Sequence, residues 1–511
     1  MLQRSSLPQN IAVLVFLLLF IAGWPYYKYI FDSDAIGYLT IAKHYAAGRW
    51  HEAVNGYWSP LHSWLAAPFV SAGFYELYVF KVLNAGIGVL ILLTFHRYLK
   101  RYEFSLSITW GLMLAAVIIV LHFAYFEVAA DILLVLLLLL YFLVITTNNF
   151  TTNLKLNILA GCLAAIAYFS KTYAFPFLLL HFTFVHWLAP AQQPRNWLVG
   201  ISVFLLVCFP WILALHDKYG IWTIGTSGKM NSSVYLVHEY NPNLLLFAPP
   251  YENSVAWWED AYLYQKKFYT PFQSAALFVH QIRILLFNIQ QYFLALSVIS
   301  YLVPFTFLLL FFDALQKNST IARHLTIFSL LLPLGYLFIH IETRFLWILA
   351  LLLLPWIVQW WIQVLKNNNA PKWIYKTILA VVVVSFLAEP VNQLKDNINK
   401  QKNWSLQARA LQAGGITGNC ISHNKHLDEG MIVAYQAGLR YFMPGFQKDL
   451  LQDVLPEAIK SNIRWFLFFY DTEEKKKEFL QSEIGKSLPA PALLHQGMLV
   501  FDLSKWMRPA L

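Results

Sequence analysis

The sequence predicts a mainly α-helical fold: a polytopic membrane helix bundle of about eleven spans, with interfacial helices and a small extracytoplasmic α/β C-terminal domain. Of the 511 residues, 58% are hydrophobic and only 13% are charged, whereas soluble domains usually carry about 25% charged residues. Long apolar runs recur up to Pro390, and a more charged composition follows it. We therefore predict a membrane domain over residues 1–390 and a second domain over residues 391–511.

The spans are predicted from apolar runs that approach the roughly 20 residues an α-helix needs to cross a bilayer. Every short connection on one predicted side is basic, as the positive-inside rule requires; Arg97 and Lys100 lie in one of them. This alternation predicts a cytoplasmic N-terminus and an extracytoplasmic C-terminal domain. The predicted spans cover residues 11–30, 76–96, 106–123, 128–146, 156–170, 172–188, 197–215, 292–312, 325–340, 345–365 and 377–390.

Charge and cysteine content exclude several kinds of function. The formal net charge of +10 does not indicate a nucleic-acid partner, because the basic residues are scattered in short clusters between apolar runs. Cys162, Cys208 and Cys420 fit neither a zinc spacing nor a disulfide framework, so no metal site is predicted. The first apolar run lacks an A-x-A cleavage site, and we interpret it as an uncleaved span.

The connections on the outer side hold most of the loop residues. The first contains an amphipathic segment over 34–48, which predicts a helix lying along the membrane interface. A second connection covers residues 216–288, far longer than the roughly 15 residues of ordinary loops, and therefore needs a function. Its end, 277–287, again predicts an interfacial helix.

The segment after Pro390 alternates between strand-like and helix-like runs, which is typical of a small α/β domain. The predicted strands are GNCISH, RWFLFFY and GMLVFDL, and the predicted helices are MIVAYQAGLRYF and TEEKKKEFLQSEI.

Two carboxylates, Asp32 and Asp34, directly follow the first span. Charged groups close to hydrocarbon are costly and tend to mark function or pairing. Two carboxylates sharing one site can raise a pKa, which suits a general base, so Asp34 and Asp32 are the candidate catalytic residues. They could equally cap the following helix. Tyr38 lies one helical turn after Asp34 on the same face and could bind the same substrate or anchor at the interface.

Further polar and aromatic residues lie at span ends or in the long connection on the same predicted side. Arg344 has a side chain suited to bidentate phosphate binding, and Lys171 is a cation on the side where the positive-inside rule disfavours one. The candidate substrate-binding residues are Tyr38, His62, Glu127, Asp131, Lys171, Trp257, Trp258, His340 and Arg344.

Each of these candidates also has a structural interpretation. Lys171 could snorkel to the interface, and Arg344 could be neutralised by neighbouring Glu342. Carboxylates that open a helix, as at 127 and 131, are stabilised by its macrodipole. A lone interfacial His is more often structural, and tryptophans commonly anchor at membrane interfaces.

At these residues the chain resembles the GT-C superfamily of membrane glycosyltransferases, in particular the protein mannosyltransferase, aminoarabinose transferase and RgtA/B/C/D-like group. That group has an acidic residue in the first outer loop and a Tyr about four positions on, similar to Asp34 and Tyr38. A small-residue helix and a Pro-Leu-aromatic motif follow, similar to IAKHYAAGRW and SPLHSWLAAPF.

Three later motifs extend the resemblance over roughly residues 10–360. A carboxylate opens the fourth span, where Glu127 or Asp131 stands here, and a lysine follows the fifth span, similar to Lys171. An Arg-aromatic motif precedes an apolar run that ends in Pro, similar to Arg344-Phe345 and the run to Pro355. The family's common Asp-Glu pair is replaced here by Asp34-Ala35.

The resemblance implies an enzyme of the plasma (inner) membrane. It would transfer a sugar from a polyprenyl-phosphate donor to a glycan, lipid or protein acceptor on the outer face, with membrane lipids around it. Asp34 would accept the proton of the acceptor hydroxyl, and Lys171 and Arg344 would hold the phosphate. The long connection, with Trp257 and Trp258, would form a lid. No cofactor is expected, because the family's activity does not in general depend on a bound metal.

Two other classes of function remain open. A lipid-linked glycan ligase or polymerase shares this layout, but would depend on Arg and His in the large loop instead of an acid in the first one. A non-catalytic membrane assembly or transport protein is the other. A transporter would place its ionisable residues within the spans and often show inverted repeats. An assembly scaffold would tolerate Asp34→Asn.

Overall fold

The computed structural model describes residues 6–126, 128–189, 193–236, 244–315, 320–445 and 451–506. Up to residue 396, most of the described residues belong to largely apolar helices that pack side by side. In chain order they are α1 (Leu7–Tyr27), α2 (Ser33–Ala46), α3 (Trp50–Ala53), α4 (Leu61–Ser71), α5 (Glu76–Leu99), α6 (Leu106–Phe126), α7 (Asp131–Ile145), α8 (Leu154–Ser170), α9 (Ala174–Trp187), α10 (Pro194–Tyr219), α11 (Ser227–Leu236), α12 (Ala275–Ile299), α13 (Val303–Leu315), α14 (Thr320–Leu331), α15 (Leu334–Leu337), α16 (Trp347–Asn367) and α17 (Lys372–Asp396).

The helix lengths fit a multi-pass membrane protein, as the sequence predicts. In the described part of the chain, 8 helical segments are long and apolar enough to cross a membrane, and α7, α8, α9 and α13 are shorter apolar helices. Each predicted span overlaps one or two of these helices. The chain therefore has the predicted membrane-bundle architecture, and Pro390, the predicted domain boundary, lies inside α17.

Two predicted elements of the second half are wrong in detail. The predicted span 292–312 is interrupted, because α12 ends at Ile299 and α13 begins at Val303. At the break, the Ser300 hydroxyl lies 2.7 Å from that of Ser385 in α17 and accepts a hydrogen bond from the backbone N–H of Leu302. The predicted interfacial helix 277–287 is the first part of α12, since no helix-breaking residue separates it from the apolar residues that follow.

The predicted interfacial helix after the first span exists as α2, but it does not lie on a surface. Most of its residues are buried, because α4, the 3-10 helix Trp257–Tyr264 and the C-terminal domain pack around it. Gly37 permits the closest of these approaches: a Cβ there would lie 2.5 Å from the indole nitrogen of Trp58. The amphipathic pattern of α2 therefore faces protein instead of lipid.

Helices α8 and α10 approach each other through two glycines. A Cβ added at Gly161 would collide with the backbone oxygen of Gly200, which cannot move away as a flexible side chain could. Small residues that let helix backbones approach closely are a common basis of helix packing in membranes.

We expect Gly161→Ala to destabilise the protein by about 1–3 kcal/mol, the usual range for overpacking. Thermal unfolding in detergent would show this as a melting temperature several degrees below that of the wild type. Gly111→Ala in α6 is the matched control, because a Cβ there meets nothing within 4 Å. Equal melting temperatures for the two variants would contradict the close approach of α8 and α10.

The C-terminal segment forms the predicted α/β domain. Strands β2 (Asn419–Ser422), β3 (Arg440–Pro444) and β4 (Trp465–Phe469) are parallel in the order β3-β2-β4. Strand β6 (Met498–Asp502) pairs antiparallel with β4, and β5 (Leu493–His495) pairs antiparallel with β6 at the edge of the sheet. The predicted helix MIVAYQAGLRYF ends early, because Gly438 adopts a left-handed conformation (φ 78°) and the last residues enter β3. The elements are α18 (Lys402–Ala413), β2 (Asn419–Ser422), α19 (Leu427–Ala437), β3 (Arg440–Pro444), α20 (Leu451–Lys460), β4 (Trp465–Phe469), α21 (Glu473–Gln481), α22 (Glu483–Ser487), β5 (Leu493–His495) and β6 (Met498–Asp502).

The long connection between α10 and α12 joins this domain to the bundle. Its short strand β1 (Leu246–Phe247) pairs antiparallel with β3 and becomes the sixth strand of the sheet. The 3-10 helix Trp257–Tyr264 then packs on α2. These described residues of the connection, 246–264, therefore form a layer between α2 and the C-terminal sheet.

Candidate active site

Three chain segments meet where α1 ends and α2 begins. Asp32 has extended backbone geometry and caps α2, its carboxylate accepting a hydrogen bond of 2.9 Å from the N–H of Ala35. Asp34 lies in the first turn of α2. Lys171 occupies the extended residue between α8 and α9. The third segment is the 3-10 turn Thr343–Leu346 that precedes α16.

Arg344 links the carboxylates of this region. Its guanidinium nitrogens lie 2.9 Å from Asp34 Oδ2, 3.4 Å from Asp32 Oδ2 and 2.5 Å from Glu342 Oε2. The Arg344 side chain is only 17% exposed, so these interactions are weakly screened by solvent. The planar fork of Arg can serve several oxygens at once, which a lysine ammonium cannot do in the same geometry.

A second ion pair lies beside the first. Lys171 Nζ is 2.5 Å from Asp131 Oδ1, and it also stands 4.2 Å from the centre of the Phe345 ring. The same ring is 5.6 Å from the Arg344 guanidinium carbon and stacks on Tyr336. Phe345 therefore separates the two cations while contacting both.

The carboxylate of Asp34 is held on both oxygens. Arg344 contacts Oδ2, and the indole N–H of Trp258 donates to Oδ1 over 3.2 Å. Trp58 donates its own indole N–H to the carbonyl of Trp258. The long connection thus contacts the candidate catalytic residue directly, and its role as a lid remains a prediction.

Two cavities lie on either side of the Arg344 cluster. The polar cavity, of about 330 Å³, is bordered by Asp34, Asp131, Lys171 and His340, with aromatic walls. The helix-side cavity, of about 380 Å³, lies among α6, α12, α16 and α17 and is lined by apolar side chains together with polar and charged ones such as Gln393. Glu342 and Arg344 line both cavities and form the partition between them.

Burial and neighbouring charges alter the acid–base properties of the cluster. Burial raises the pKa of Asp32 to about 7, and the charge of Asp34 adds to this rise. Burial also disfavours ionised Glu342, but the hydrogen bond from His340 and the charge of Arg344 outweigh it and hold the Glu342 pKa at about 2. Of Asp32 and Glu342, Asp32 is therefore the carboxyl whose neutral form is favoured.

The structure brings most of the predicted site residues together. Tyr38, Asp131, Lys171, His340 and Arg344 line the polar cavity with Asp34, and Asp32 lines the helix-side cavity. These positions are compatible with the predicted roles, which remain predictions. Glu127 lies outside the described residues.

Three predicted substrate contacts stand apart from the cavity walls that the structure describes. His62 is buried against Phe80, and burial lowers its pKa to about 4, so its ring is neutral. Trp257 is 2% exposed and donates its indole N–H to Met443 of the C-terminal domain. Trp258 is half-buried and donates its indole N–H to Asp34, but it is not among the residues that line the polar cavity.

Other residues that line the polar cavity could not be predicted from the sequence. Tyr57 donates to Asn231 over 2.7 Å, and Tyr235 stacks on His340 at 5.2 Å. Their only signal in sequence is the density of Tyr and Asn in the long connection, which does not single out a position. Glu342 stands two residues before Arg344 and was interpreted only as its possible neutralising partner.

We expect Asp32→Asn to flatten the pH dependence of stability between pH 5 and pH 8. A carboxyl whose pKa is raised by folding contributes stability below about pH 4 that is lost as pH rises through about 7. Asn keeps the helix cap but does not ionise. Melting temperatures at the two pH values should therefore differ less in the variant than in the wild type. The side chain is 38% exposed, so the difference should amount to a few degrees.

The exposed Asp217 of α10 provides the control for this measurement. Asp217→Asn should leave the wild-type pH dependence unchanged. A variant Asp32→Asn that melts like the wild type at both pH values would contradict the burial-raised pKa.

Comparison with known proteins supports the fold. No protein-family model and no curated protein matches the sequence. ArnT from Cupriavidus metallidurans in the apo state has a TM-score of 0.53 at 12% identity, with 96% of this chain and 97% of that chain covered. The same protein bound to undecaprenyl phosphate gives a TM-score of 0.50 at 12% identity, covering 96% and 98%. The apo oligosaccharyltransferase of Archaeoglobus fulgidus gives 0.54 at 12% identity, covering 98% of this chain and 75% of that chain.

These likenesses extend over almost the whole chain and concern its fold. ArnT, an aminoarabinose transferase, and the oligosaccharyltransferase are both GT-C superfamily proteins. The chain therefore shares the fold of these two proteins, which confirms the membrane-bundle architecture that the resemblance of its motifs implies.

Proposed function

We propose that this protein is a membrane glycosyltransferase that moves a sugar from a polyprenyl-phosphate donor to a hydroxyl-bearing acceptor. The observation that carries the proposal is the position of Arg344. It contacts Asp34 at 2.9 Å and lies in the partition between the helix-side cavity and the polar cavity beside Asp34. A donor whose lipid and sugar are joined through a phosphate would bind its phosphate at this partition, with the lipid on the helix side and the sugar beside Asp34. The undecaprenyl phosphate complex of ArnT, which shares the fold, supports the same class of lipid.

The phosphate of the donor would bind at Arg344, with the prenyl chain on the helix side. A cavity of about 380 Å³ is in the range that holds a drug-sized ligand, so it would take the first isoprenoid units and leave the rest in the bilayer. Phosphate would compete with the carboxylates for Arg344. Asp32 makes the longest of the three contacts, 3.4 Å, and its raised pKa makes it the easiest to neutralise.

The sugar and the acceptor would occupy the polar cavity. Asp34 would accept the proton of the acceptor hydroxyl while that oxygen bonds to the anomeric carbon. The bond between the anomeric carbon and the phosphate oxygen would break in the same step, and its electron pair would leave with the polyprenyl phosphate. Attack opposite the leaving group inverts the anomeric configuration.

Lys171 and Arg344 would stabilise the charge that grows on the departing phosphate. Both cations are already fixed by carboxylates and by the Phe345 ring, so little reorganisation is needed during the reaction. Because these side chains supply the positive charge, we propose that the reaction needs no metal cofactor. We further propose that it takes place on the outer face of the plasma membrane, with the N-terminus in the cytoplasm.

The test is sugar transfer by the purified protein in nanodiscs. A panel of polyprenyl-phosphate sugars would be supplied with a cell-envelope extract as acceptor, with and without EDTA. Mass spectrometry would follow the release of polyprenyl phosphate and the product. We expect turnover of at least one donor that is insensitive to EDTA. A folded protein that releases no polyprenyl phosphate from any donor would contradict the proposal and favour a glycan ligase, a scaffold or a transporter.

A further inference from the structure

The lid segment, residues 251–264, is anchored to the bundle by a buried charged cluster. Asp260 is fully buried, and its carboxylate lies 2.9 Å from Lys218 Nζ at the end of α10. The hydroxyls of Tyr219 and Tyr251 donate to the same carboxylate over 2.9–3.0 Å. An ion pair this deeply buried is tolerated only when its geometry satisfies both charges, so breaking it is costly. The cluster thus holds the lid in one place.

A second set of hydrogen bonds fixes the register of the same segment. Asn55 donates to the carbonyl of Glu259 over 2.5 Å and accepts from the backbone N–H groups of Tyr57 and Trp58. Trp58 in turn donates to the carbonyl of Trp258 over 3.0 Å. The carbonyl groups of Trp258 and Glu259 are therefore both held, and the indole N–H of Trp258 donates to Asp34.

We propose that Trp258 is a positioning residue for Asp34, an inference that rests on the proposed function. The carboxylate of Asp34 has Trp258 on Oδ1 at 3.2 Å and Arg344 on Oδ2 at 2.9 Å. Rotation of the carboxylate breaks at least one of these bonds. Because each oxygen has a further lone pair, the fixed carboxylate can still accept the acceptor proton from the polar cavity that it lines.

A purely structural role for Trp258 makes different predictions. Its ring lies 5.1 Å from Tyr57 and 4.9 Å from Trp257, so it also packs the lid. If packing were its whole contribution, a ring without an N–H would serve equally well. Trp258→Phe removes the N–H and keeps an aromatic ring.

We expect Trp258→Phe to lower kcat about tenfold, the scale of losing a hydrogen bond to a charged group, with KM for the donor changed less than about twofold. Tyr264→Phe is the matched control, because it removes a single hydrogen bond, to the carbonyl of Ala248, from the same lid segment away from Asp34. Its kcat should equal that of the wild type. Equal kcat values in both variants would overturn the positioning role.

A spectroscopic measurement tests the contact without relying on turnover. The protein labelled with 5-fluorotryptophan gives a ¹⁹F resonance for Trp258, assigned by its absence in Trp258→Phe or, if that variant fails to fold, in Trp258→Tyr. We expect this resonance to shift in Asp34→Asn and to stay unchanged in Tyr264→Phe. An unshifted resonance in Asp34→Asn would overturn the proposal. If the Trp258 resonance shifts in Asp34→Asn but the wild-type protein transfers no sugar, the contact between Trp258 and Asp34 stands and the proposed function is wrong.

Discussion

Asp34→Asn is expected to lower the rate of sugar transfer by about 10²–10⁴, the range typical of a positioned general base. Asn keeps the size of the side chain and an oxygen that can still accept from Trp258 or Arg344, but it does not take up the acceptor proton. Arg344 retains Asp32 and Glu342 as partners, so the fold should survive. The measurement is the initial rate of polyprenyl phosphate release, together with the melting temperature of each protein.

The control for this experiment is a carboxylate at the opposite end of the bundle. Asp313 lies near the end of α13 in a cavity with Arg101 and Gln363, far from α2 in the fold. Asp313→Asn should transfer sugar at the wild-type rate. If Asp34→Asn is active within about twofold of the wild type while folded, Asp34 is not the base, and Asp32 becomes the next residue to test.

Arg344→Lys is expected to lower kcat/KM for the donor by about 10²–10³, the cost of removing one preorganised charge contact. Lysine keeps the positive charge, but its compact ammonium cannot face Asp34, Asp32 and Glu342 in the way the guanidinium fork does. The carboxylates would then repel one another and the incoming phosphate. Steady-state kinetics with a range of donor concentrations would show a raised KM together with a lower kcat.

Arg97→Lys offers a control, since Arg97 is exposed at the far end of α5. It should change neither parameter. A variant Arg344→Lys with a lower melting temperature but unchanged kcat and KM would make Arg344 a structural counter-ion only. In that case the phosphate site would have to be sought at Lys171.

Local patterns in the sequence account for much of the site. Asp34 and Tyr38 are adjacent in a single helical turn, and Asp131, Lys171 and Arg344 each stand where an apolar run begins or ends. Helix ends on the same side of a membrane lie at a similar depth, so side chains at these ends can meet although they are far apart in sequence. The positive-inside pattern indicated the same side for all of them.

Contacts between distant segments could not be predicted in this way. The sequence offered Trp258 as a sugar-stacking residue, but folding of the long connection turns its indole toward Asp34. Trp257, its neighbour in sequence, points to Met443 in the other domain. The pattern of α2 indicated a surface helix, whereas the lid and the C-terminal domain cover it. The contacts of the two tryptophans and the burial of α2 depend on which part of the protein the long connection packs against. The local composition of the sequence does not specify this packing.

The sequence by itself determined the class of fold, the approximate positions of the spans, the α/β character of the C-terminal segment and the end of the bundle at which charge accumulates. These features follow from hydrophobic length and periodicity, which act locally. The tertiary structure alone decided that Arg344 contacts Asp32 and Asp34, that two cavities meet at this residue, and that Trp258 donates a hydrogen bond to Asp34. Those features arise from pairings across more than 200 residues, such as Asp34 with Trp258 and with Arg344. Only the packed chain selects such pairs, because many other charges and aromatic rings could have met instead.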